Sequence, residues 1–185
     1  MAVINPAVTW AKLEERLAAE TDPVRRHNLQ MIITHSKAEL AGDIDATVAT
    51  LSEDVEYHTY GSDDPTWNPK GKPQVAAYYD KMKKNDALRL QMDCDRLVVD
   101  RHCVLTEGVL RIAYTGRMLQ GIGITVDDLD ADYLFEARIA TLWPFDDKGL
   151  ILGEHNYMGG DGFAGIASRK LRPGDILTAP PYNRE

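Results

Sequence analysis

The stretch "AGDIDATVATLSEDVEYH", residues 41–58, contains the end of one helix, a complete short helix and the beginning of a strand. Gly42 is a typical residue at which a helix ends, and Asp43 or Asp45 can cap the short helix that follows. The apolar residues of that short helix recur at helical spacing. Valine and tyrosine then favour a strand over about residues 54–60. This order of elements is the local signal that decides the fold.

Two longer helices precede this stretch. Residues 7–20 carry their apolar side chains on one helical stripe with charges opposite, which predicts an amphipathic helix. A second helix is predicted over residues 23–41, because Asp22 is a good N-cap and Pro23 suits the first helical position. The chain therefore begins with helices, and its strands follow.

The second half of the chain changes character after one more helix, predicted around "GKPQVAAYYDKM", residues 71–82. Segments rich in valine, isoleucine, leucine and tyrosine then alternate with turn residues, which predicts four consecutive strands. These strands are expected within residues 88–100, 102–114, 131–145 and 149–159. Helices followed by a strand meander indicate an α+β fold, in which one curved antiparallel sheet wraps over segregated helices.

The length of 185 residues suits one domain. We expect that domain to span residues 1–160, with the helix at 7–20 included. Residues 161–185 form a Gly- and Pro-rich C-terminal extension, expected to lie over the surface or to reach a neighbouring subunit.

Charge and composition restrict the classes of partner. The net charge of −8 argues against nucleic acid. The N-terminal segment does not have the pattern of a secretory signal, and no apolar run is long enough to span a membrane, so we expect a cytoplasmic protein without a membrane partner. Cys94 and Cys103 fit no metal or redox spacing and are predicted to be free thiols.

The motifs at 41–57 and 71–82, together with the order of helices and strands around them, resemble the SnoaL-like branch of the nuclear transport factor 2-like superfamily. That superfamily includes ketosteroid isomerase, scytalone dehydratase, limonene epoxide hydrolase and polyketide cyclases. The resemblance covers about residues 24–160. It implies a cone-shaped half-barrel of the cystatin-like type, closed by the N-terminal helices, with a mostly apolar pocket for a small substrate.

The resemblance also implies two positions for the chemistry. The oxyanion-binding tyrosine of ketosteroid isomerases lies eight residues before an aspartate that corresponds to Asp43, which places His35 there. Their catalytic aspartate lies near the end of the first strand, the region of His58. Scytalone dehydratase, which uses histidines in a similar cavity, is therefore the closer chemical analogue.

Histidine exchanges protons readily near neutral pH and is a natural general acid or base. His35, His58 and His155 each lie in an element expected to line the cavity, and they are the catalytic candidates. The alternative for His35 is a core histidine bonded to a neighbour, whereas His27 and His102 are expected at the surface. The aromatic residues Tyr60, Trp67 and Tyr79 suit a ring-bearing substrate and are the candidates for binding it.

Two of the predicted strands carry charges at alternating positions. Glu107 and Arg111 share one face of the first, and Glu136 and Arg138 share one face of the second. One interpretation is a salt-bridge lattice on the outer face of the sheet, often a dimer surface in this superfamily. The other places Glu107 inside the cone as a catalytic group, with Arg111 and Arg138 binding substrate. The Asp-Arg-Asp spacing of limonene epoxide hydrolases does not recur.

Together these features predict an enzyme that works by general acid-base catalysis without a cofactor or metal, since no short His-His ligand spacing occurs. The substrate is expected to be a small apolar or aromatic oxygenated molecule. A lyase reaction, either dehydration or retro-aldol cleavage, ranks ahead of isomerisation or polyketide-type cyclisation. The alternative of another class is a ligand-binding or association domain without catalysis. A homodimer is expected, because the open face of the sheet is commonly buried by a second subunit in this superfamily.

Overall fold

The structure is a computed structural model that describes residues 2–182. Its helices are α1 (Val8–Ala19), α2 (Pro23–Leu40), α3 (Ile44–Ala49), α4 (Gly71–Lys84) and α5 (Gly116–Gly121), with short 3-10 turns at Pro65–Trp67 and Ile166–Ser168. Its strands are β1 (His58–Tyr60), β2 (Leu90–Val99), β3 (Cys103–Thr115), β4 (Asp132–Pro144) and β5 (His155–Met158). The α+β class is confirmed.

The predicted helix caps are present. Asp22 accepts hydrogen bonds from the backbone amides of Val24 and Arg25, at 3.0 and 3.1 Å. Asp43, rather than Asp45, caps α3 by accepting from a backbone amide. These local interactions begin both helices and so set which faces of α2 and α3 turn inward.

The five strands form one open, curved sheet in the order β1-β5-β4-β3-β2. Strands β2 to β5 are antiparallel neighbours, as expected of a meander. Strand β1 departs from the expected antiparallel sheet because it pairs parallel with β5, His58 opposite His155. A parallel pair needs a long crossover connection, and α4 and three strands lie between β1 and β5 in sequence.

The core lies between the helices and the inner, concave face of the sheet. Strand β4 shows the arrangement most clearly, since buried side chains alternate with more exposed ones from Tyr133 to Trp143. The buried set of β4 packs with residues from α1, α2 and α4, among them Leu13, Ile32 and Val75. The sheet therefore has an inner face toward the helices and an outer face toward solvent.

The residues after 160 pack against their own domain. Phe163 lies 4.8 Å from Phe135 and 5.2 Å from Tyr114, measured between ring centroids, and Ile166 is buried in the core. Further along, the carbonyl of Asp175 accepts hydrogen bonds from the backbone near the N-terminus. The segment around Phe163 is therefore more than a surface covering, because its ring helps to close the cone.

Neither cysteine forms a disulfide, as predicted, and Cys94 is buried. Between residues 2 and 182, none of the helices is long and apolar enough to cross a lipid bilayer.

Candidate active site

A cavity of about 370 Å³ lies inside the cone, between the helices and the inner face of the sheet. Most of its walls are apolar side chains, such as Ile32 from α2, Leu110 from β3 and Trp143 from β4. The polar groups are few, and they include the hydroxyls of Ser36, Thr106 and Thr141. A mostly apolar pocket with a small number of placed polar groups is the usual form of a small-molecule site.

Three carboxyl groups line the cavity: Glu39, Glu154 and Asp161. Asp161 is exposed and lies in the loop after β5. Glu39 projects from the last turn of α2, and Glu154 immediately precedes β5, with a side chain that is 16% exposed. No lysine or arginine of residues 2–182 lines this cavity, so its fixed charge is negative.

Backbone packing holds Glu154 in place. The backbone amide of His58 donates a hydrogen bond of 2.9 Å to the carbonyl of Glu154. The preceding residue is Gly153, where a Cβ atom would lie 2.0 Å from the carbonyl oxygen of Glu56. Only glycine allows the two chain segments to approach this closely. Gly153 thus allows the register that puts Glu154 at the cavity wall.

A buried hydrogen-bond network surrounds Glu154. The hydroxyl of Tyr79 donates to Glu154 Oε1 at 2.8 Å, and the hydroxyl of Tyr57 lies 2.9 Å from that of Tyr79. His35 Nε2 lies 3.2 Å from the same carboxylate oxygen and 3.0 Å from the Tyr79 hydroxyl. Elements from three parts of the chain, α2, α4 and the segment before β1, therefore converge on one carboxylate.

The other ring nitrogen of His35 has a fixed role. Its Nδ1 lies 2.7 Å from the hydroxyl of Thr50, and that hydroxyl donates its own proton to the carbonyl of Thr47 at 2.6 Å. Thr50 must therefore accept from His35, which puts a proton on Nδ1. Its Nε2 faces the carboxylate of Glu154, and this contact lowers the pKa of Glu154. The histidine thus connects α3 to the carboxylate and stabilises its ionised form.

The two interior carboxyl groups have pKa values shifted in opposite directions. Burial raises the pKa of Glu39 well above its ordinary value of 4.5, and the negative charge of Glu154 raises it further. Burial also acts to raise the pKa of Glu154, but the hydrogen bond and charge of His35, with the tyrosine hydroxyls, lower it below 4.5. The pKa values of these two groups are therefore shifted apart, which favours the neutral acid at Glu39 and the carboxylate at Glu154.

Three of the residues predicted for the site face the interior. His35 is fully buried on the inward face of α2, and Tyr79 joins it in the network around Glu154. Trp67 lines the cavity at its mouth with 41% of its surface exposed. His35 does not itself line the cavity, and its bonds to Thr50 and Tyr79 are those of a core histidine, which was the alternative interpretation. Its Nε2 contacts Glu154, which does line the cavity.

The expectation that His58 and His155 line the cavity is wrong. Their rings lie 4.8 Å apart on the outer face, where Tyr60 and Tyr157 stack at 4.4 Å. Tyr60 is 48% exposed and does not line the cavity. Side chains alternate along a strand, so a shift of one residue moves a side chain to the opposite face. Thr59, rather than its neighbours, points inward from β1.

The interior placement of Glu107, Arg111 and Arg138 is also wrong. Glu107 binds Arg96 at 2.8 Å and Arg138 at 2.7 Å, all on the outer face. Arg111 lies 2.7 Å from Glu136. The hydrogen bond from Arg96 is the main cause that lowers the pKa of Glu107. The charges form the cross-strand lattice that was the alternative interpretation.

Sequence reasoning missed Glu39 and Glu154. Glu39 follows His35 by four residues on the same helical stripe, and this spacing could have identified it. Glu154 precedes His155, and Tyr157 of β5 is exposed on the outer face, so apolar character does not distinguish the inner face of this short strand. No signal in the local sequence selects Glu154.

Among residues 2–182, no group of three or more histidine, cysteine, aspartate or glutamate side chains is placed to hold a metal ion. The donors that the cavity offers are hydroxyls and carboxyl groups, which suit hydrogen bonding and proton transfer.

The cone and its interior cavity define the nuclear transport factor 2-like fold, and comparison with solved structures agrees. A protein of Shewanella denitrificans that is described as a SnoaL-like polyketide cyclase superposes with a TM-score of 0.62 at 12% identity, over 76% of this chain and 96% of that one. An LEH-like epoxide hydrolase of Mycobacterium tuberculosis gives a TM-score of 0.55 at 18% identity, over 77% and 91%.

A protein of unknown function from Burkholderia pseudomallei, described as NTF2-like, gives a TM-score of 0.56 at 14% identity, over 76% of this chain and 95% of that one. At these identities the likeness shows the fold alone. No family profile matches the sequence. No curated protein matches it either.

Proposed function

We propose that this protein is an enzyme that acts without a cofactor, by general acid-base catalysis, on a small apolar or aromatic oxygenated molecule. The observation that carries the proposal is the pair Glu39 and Glu154, which line one apolar cavity with pKa values shifted apart. Titratable groups separated in this way can supply an acid and a base in the same site. The structural likeness to a polyketide cyclase and an epoxide hydrolase is consistent with catalysis in this fold.

In this proposal Glu154 is the base and Glu39 is the acid. The carboxylate of Glu154 takes a proton from a carbon next to a carbonyl group, and the neutral carboxylic acid of Glu39 donates its proton to the oxygen that leaves. A β-hydroxy ketone would thereby lose water and become an unsaturated ketone. The proton on Glu154 must then return to Glu39, directly or through solvent, before the next turnover. His35 and Tyr79 are positioning residues, since they hold Glu154 by hydrogen bonds.

Dehydration and retro-aldol cleavage remain the first choice because each uses a base and an acid at separate atoms of the substrate. Isomerisation needs the same pair, with the proton returned to another carbon, and is the second choice. Epoxide hydrolysis is less favoured, since no arginine of residues 2–182 lines the cavity. A ligand-binding domain without catalysis would need hydrogen-bonding groups but has no need for carboxyl groups with opposite pKa shifts.

The test uses ring-bearing β-hydroxy ketones and cyclic ketones in D₂O, followed by proton NMR. We expect loss of water, cleavage, or exchange of the proton next to the carbonyl for deuterium. Glu154→Gln should slow this reaction by about 10²- to 10⁴-fold, the usual effect of losing a general base. Glu39→Gln should slow the steps that protonate oxygen and leave deuterium exchange less affected.

His58→Gln and Glu107→Gln are matched controls, because both side chains lie on the outer face. Both control variants are expected to react within about threefold of the wild type, well below a general-base effect. Folding of every variant is checked by circular dichroism. Two results would refute the proposed base and acid: full activity in a folded Glu154→Gln protein, or a loss confined to His58→Gln. An absence of any reaction in the wild type across the panel would favour the ligand-binding alternative.

A further inference from the structure

A second, larger chamber adjoins the cavity. We call it the outer groove; it has a volume of about 860 Å³ and lies between the C-terminal half of α4, α5 and the loop that precedes β4. Its walls include Lys81, Asn85 and Arg117. The outer groove and the cavity share five wall residues, Trp67, Tyr78, Met82, Tyr114 and Phe163. Both chambers are therefore bounded by these five side chains.

The five shared residues lie between the two chambers, and we call them the neck. Trp67 and Tyr78 meet edge to face at 6.2 Å between ring centroids, and Tyr114 and Phe163 lie 5.2 Å apart. Met82 adds a flexible apolar side chain. Aromatic and thioether groups of this kind favour an apolar segment of a ligand over a charged one.

The charges differ on the two sides of the neck. The cavity side has Glu154, whereas the outer groove is lined by three cations, Lys81, Lys84 and Arg117, and by two carboxylates, Asp86 and Asp130. Lys84 is paired with Asp80, and Arg117 lies 2.5 Å from Asp130. Lys81 forms no such pair, since no carboxylate of residues 2–182 lies within 4.0 Å of its ammonium group. Lys81 is thus the cation of the groove that is available to a ligand.

We propose that the outer groove is a second subsite, which binds the anionic end of an elongated substrate whose apolar part passes through the neck into the cavity. Lys81 would pair with that carboxylate or phosphate. The proposal rests on the proposed function, because it assumes that chemistry occurs at Glu154. No lysine or arginine of residues 2–182 lines the cavity to pair with an anion, so the orientation that places the anionic end in the groove is favoured. The charge of Lys81 contributes to lowering the pKa of Asp64, but the two charged groups are more than 4.0 Å apart.

The spacing along α4 agrees with this assignment. Lys81 and Met82 lie three and four residues after Tyr78, and Asn85 lies three residues after Met82, so one face of the helix runs from the neck into the groove. The same helix places Tyr79 in the network around Glu154. A ligand bound along this face would therefore contact the groove and the cavity from a single rigid element.

The test compares two probes of equal length, 6-phenylhexanoate and 6-phenylhexan-1-ol, by isothermal titration calorimetry at low ionic strength. The wild type should bind the carboxylate about three- to fivefold more tightly than the alcohol, a preference suited to a partly exposed ion pair. Lys81→Gln should remove this preference without changing the affinity for the alcohol. Lys148→Gln, an exposed lysine far from the groove, should behave as the wild type. Added salt should reduce the preference.

The two probes separate the failure of this proposal from that of the proposed function. Equal affinity for both probes in wild type and Lys81→Gln would show that the groove does not select an anion, and the alcohol would still report on the cavity. Binding of neither probe would also overturn the second subsite, whereas the reactions in D₂O decide on the acid and base independently. A carboxylate preference that survives in Lys81→Gln would assign the anion to another cation.

Discussion

Replacing Glu39 by glutamine should stabilise the protein, and the gain should grow with pH. The pKa of Glu39 is raised in the folded protein by burial and by Glu154, above its ordinary value of 4.5. A carboxyl group with a raised folded pKa gives stability that is complete below the unfolded pKa and is lost as pH rises through the folded pKa. The wild type is therefore penalised above about pH 4.5, and the Glu39→Gln variant is not.

The size of the stability gain follows from the linkage between protonation of Glu39 and folding. Each unit by which the folded pKa exceeds the unfolded pKa costs about 1.4 kcal/mol once the pH is above both. For a chain of this size each kcal/mol corresponds to about 2–4 °C in Tm. The Tm values of the variant and the wild type should thus differ little near pH 4 and by several degrees near pH 8 in thermal melts. Urea unfolding should show the same trend in the free energy of unfolding.

Glu15→Gln is the matched control, because Glu15 is exposed on α1. Its stability relative to the wild type should not follow this pH dependence. If the difference between Glu39→Gln and wild type stayed constant from about pH 4 to about pH 8, Glu39 would have an ordinary pKa, and the acid of the proposed mechanism would be lost.

Three further predictions concern the network, the assembly and the extension. Tyr79→Phe removes a donor to Glu154 and should lower the free energy of unfolding by about 1–3 kcal/mol in urea titrations, and a negligible loss would contradict a stabilising network. We expect the outer face of the sheet to bind a second copy, so light scattering should give twice the chain mass of 20.7 kDa, and a monomer would refute this. Deletion from Pro173 should leave a folded protein with a lower Tm, because the Asp175 carbonyl accepts from Val3 and Ile4; loss of soluble protein would show that the segment is essential.

The fold could be predicted because its signals are local. The caps at Asp22 and Asp43 and the positive φ of Gly42 set the ends of α2 and the start of α3, and each depends on a few neighbouring residues. The long strands β2, β3 and β4 carry enough residues for their composition to identify them. The parallel pairing of β1 with β5 could not be predicted in this way, since it is set by the path of the whole chain.

The site residues were harder to predict than the fold, because the site depends on which face of the sheet each single residue occupies. Strand β1 has three residues and β5 has four, too few for apolar alternation to distinguish the two faces. Aromatic residues also cluster on the outer face, at Tyr60 and Tyr157, where polar groups would be expected. The sequence therefore favoured the histidines as site residues, although it is Glu154, one residue before His155, that faces the cavity.

The most direct test of the central claim is the pKa of Glu39 itself. Carbon-13 NMR of the glutamate side-chain carboxyl groups, assigned with Glu39→Gln and Glu154→Gln, follows each titration separately. We predict that Glu39 titrates well above 4.5 in the wild type and moves toward that value in Glu154→Gln, because the neighbouring charge is removed while burial remains. Glu154 should titrate below 4.5. A Glu39 that titrates at its ordinary value in the wild type would contradict the assignment of an acid and a base to this cavity.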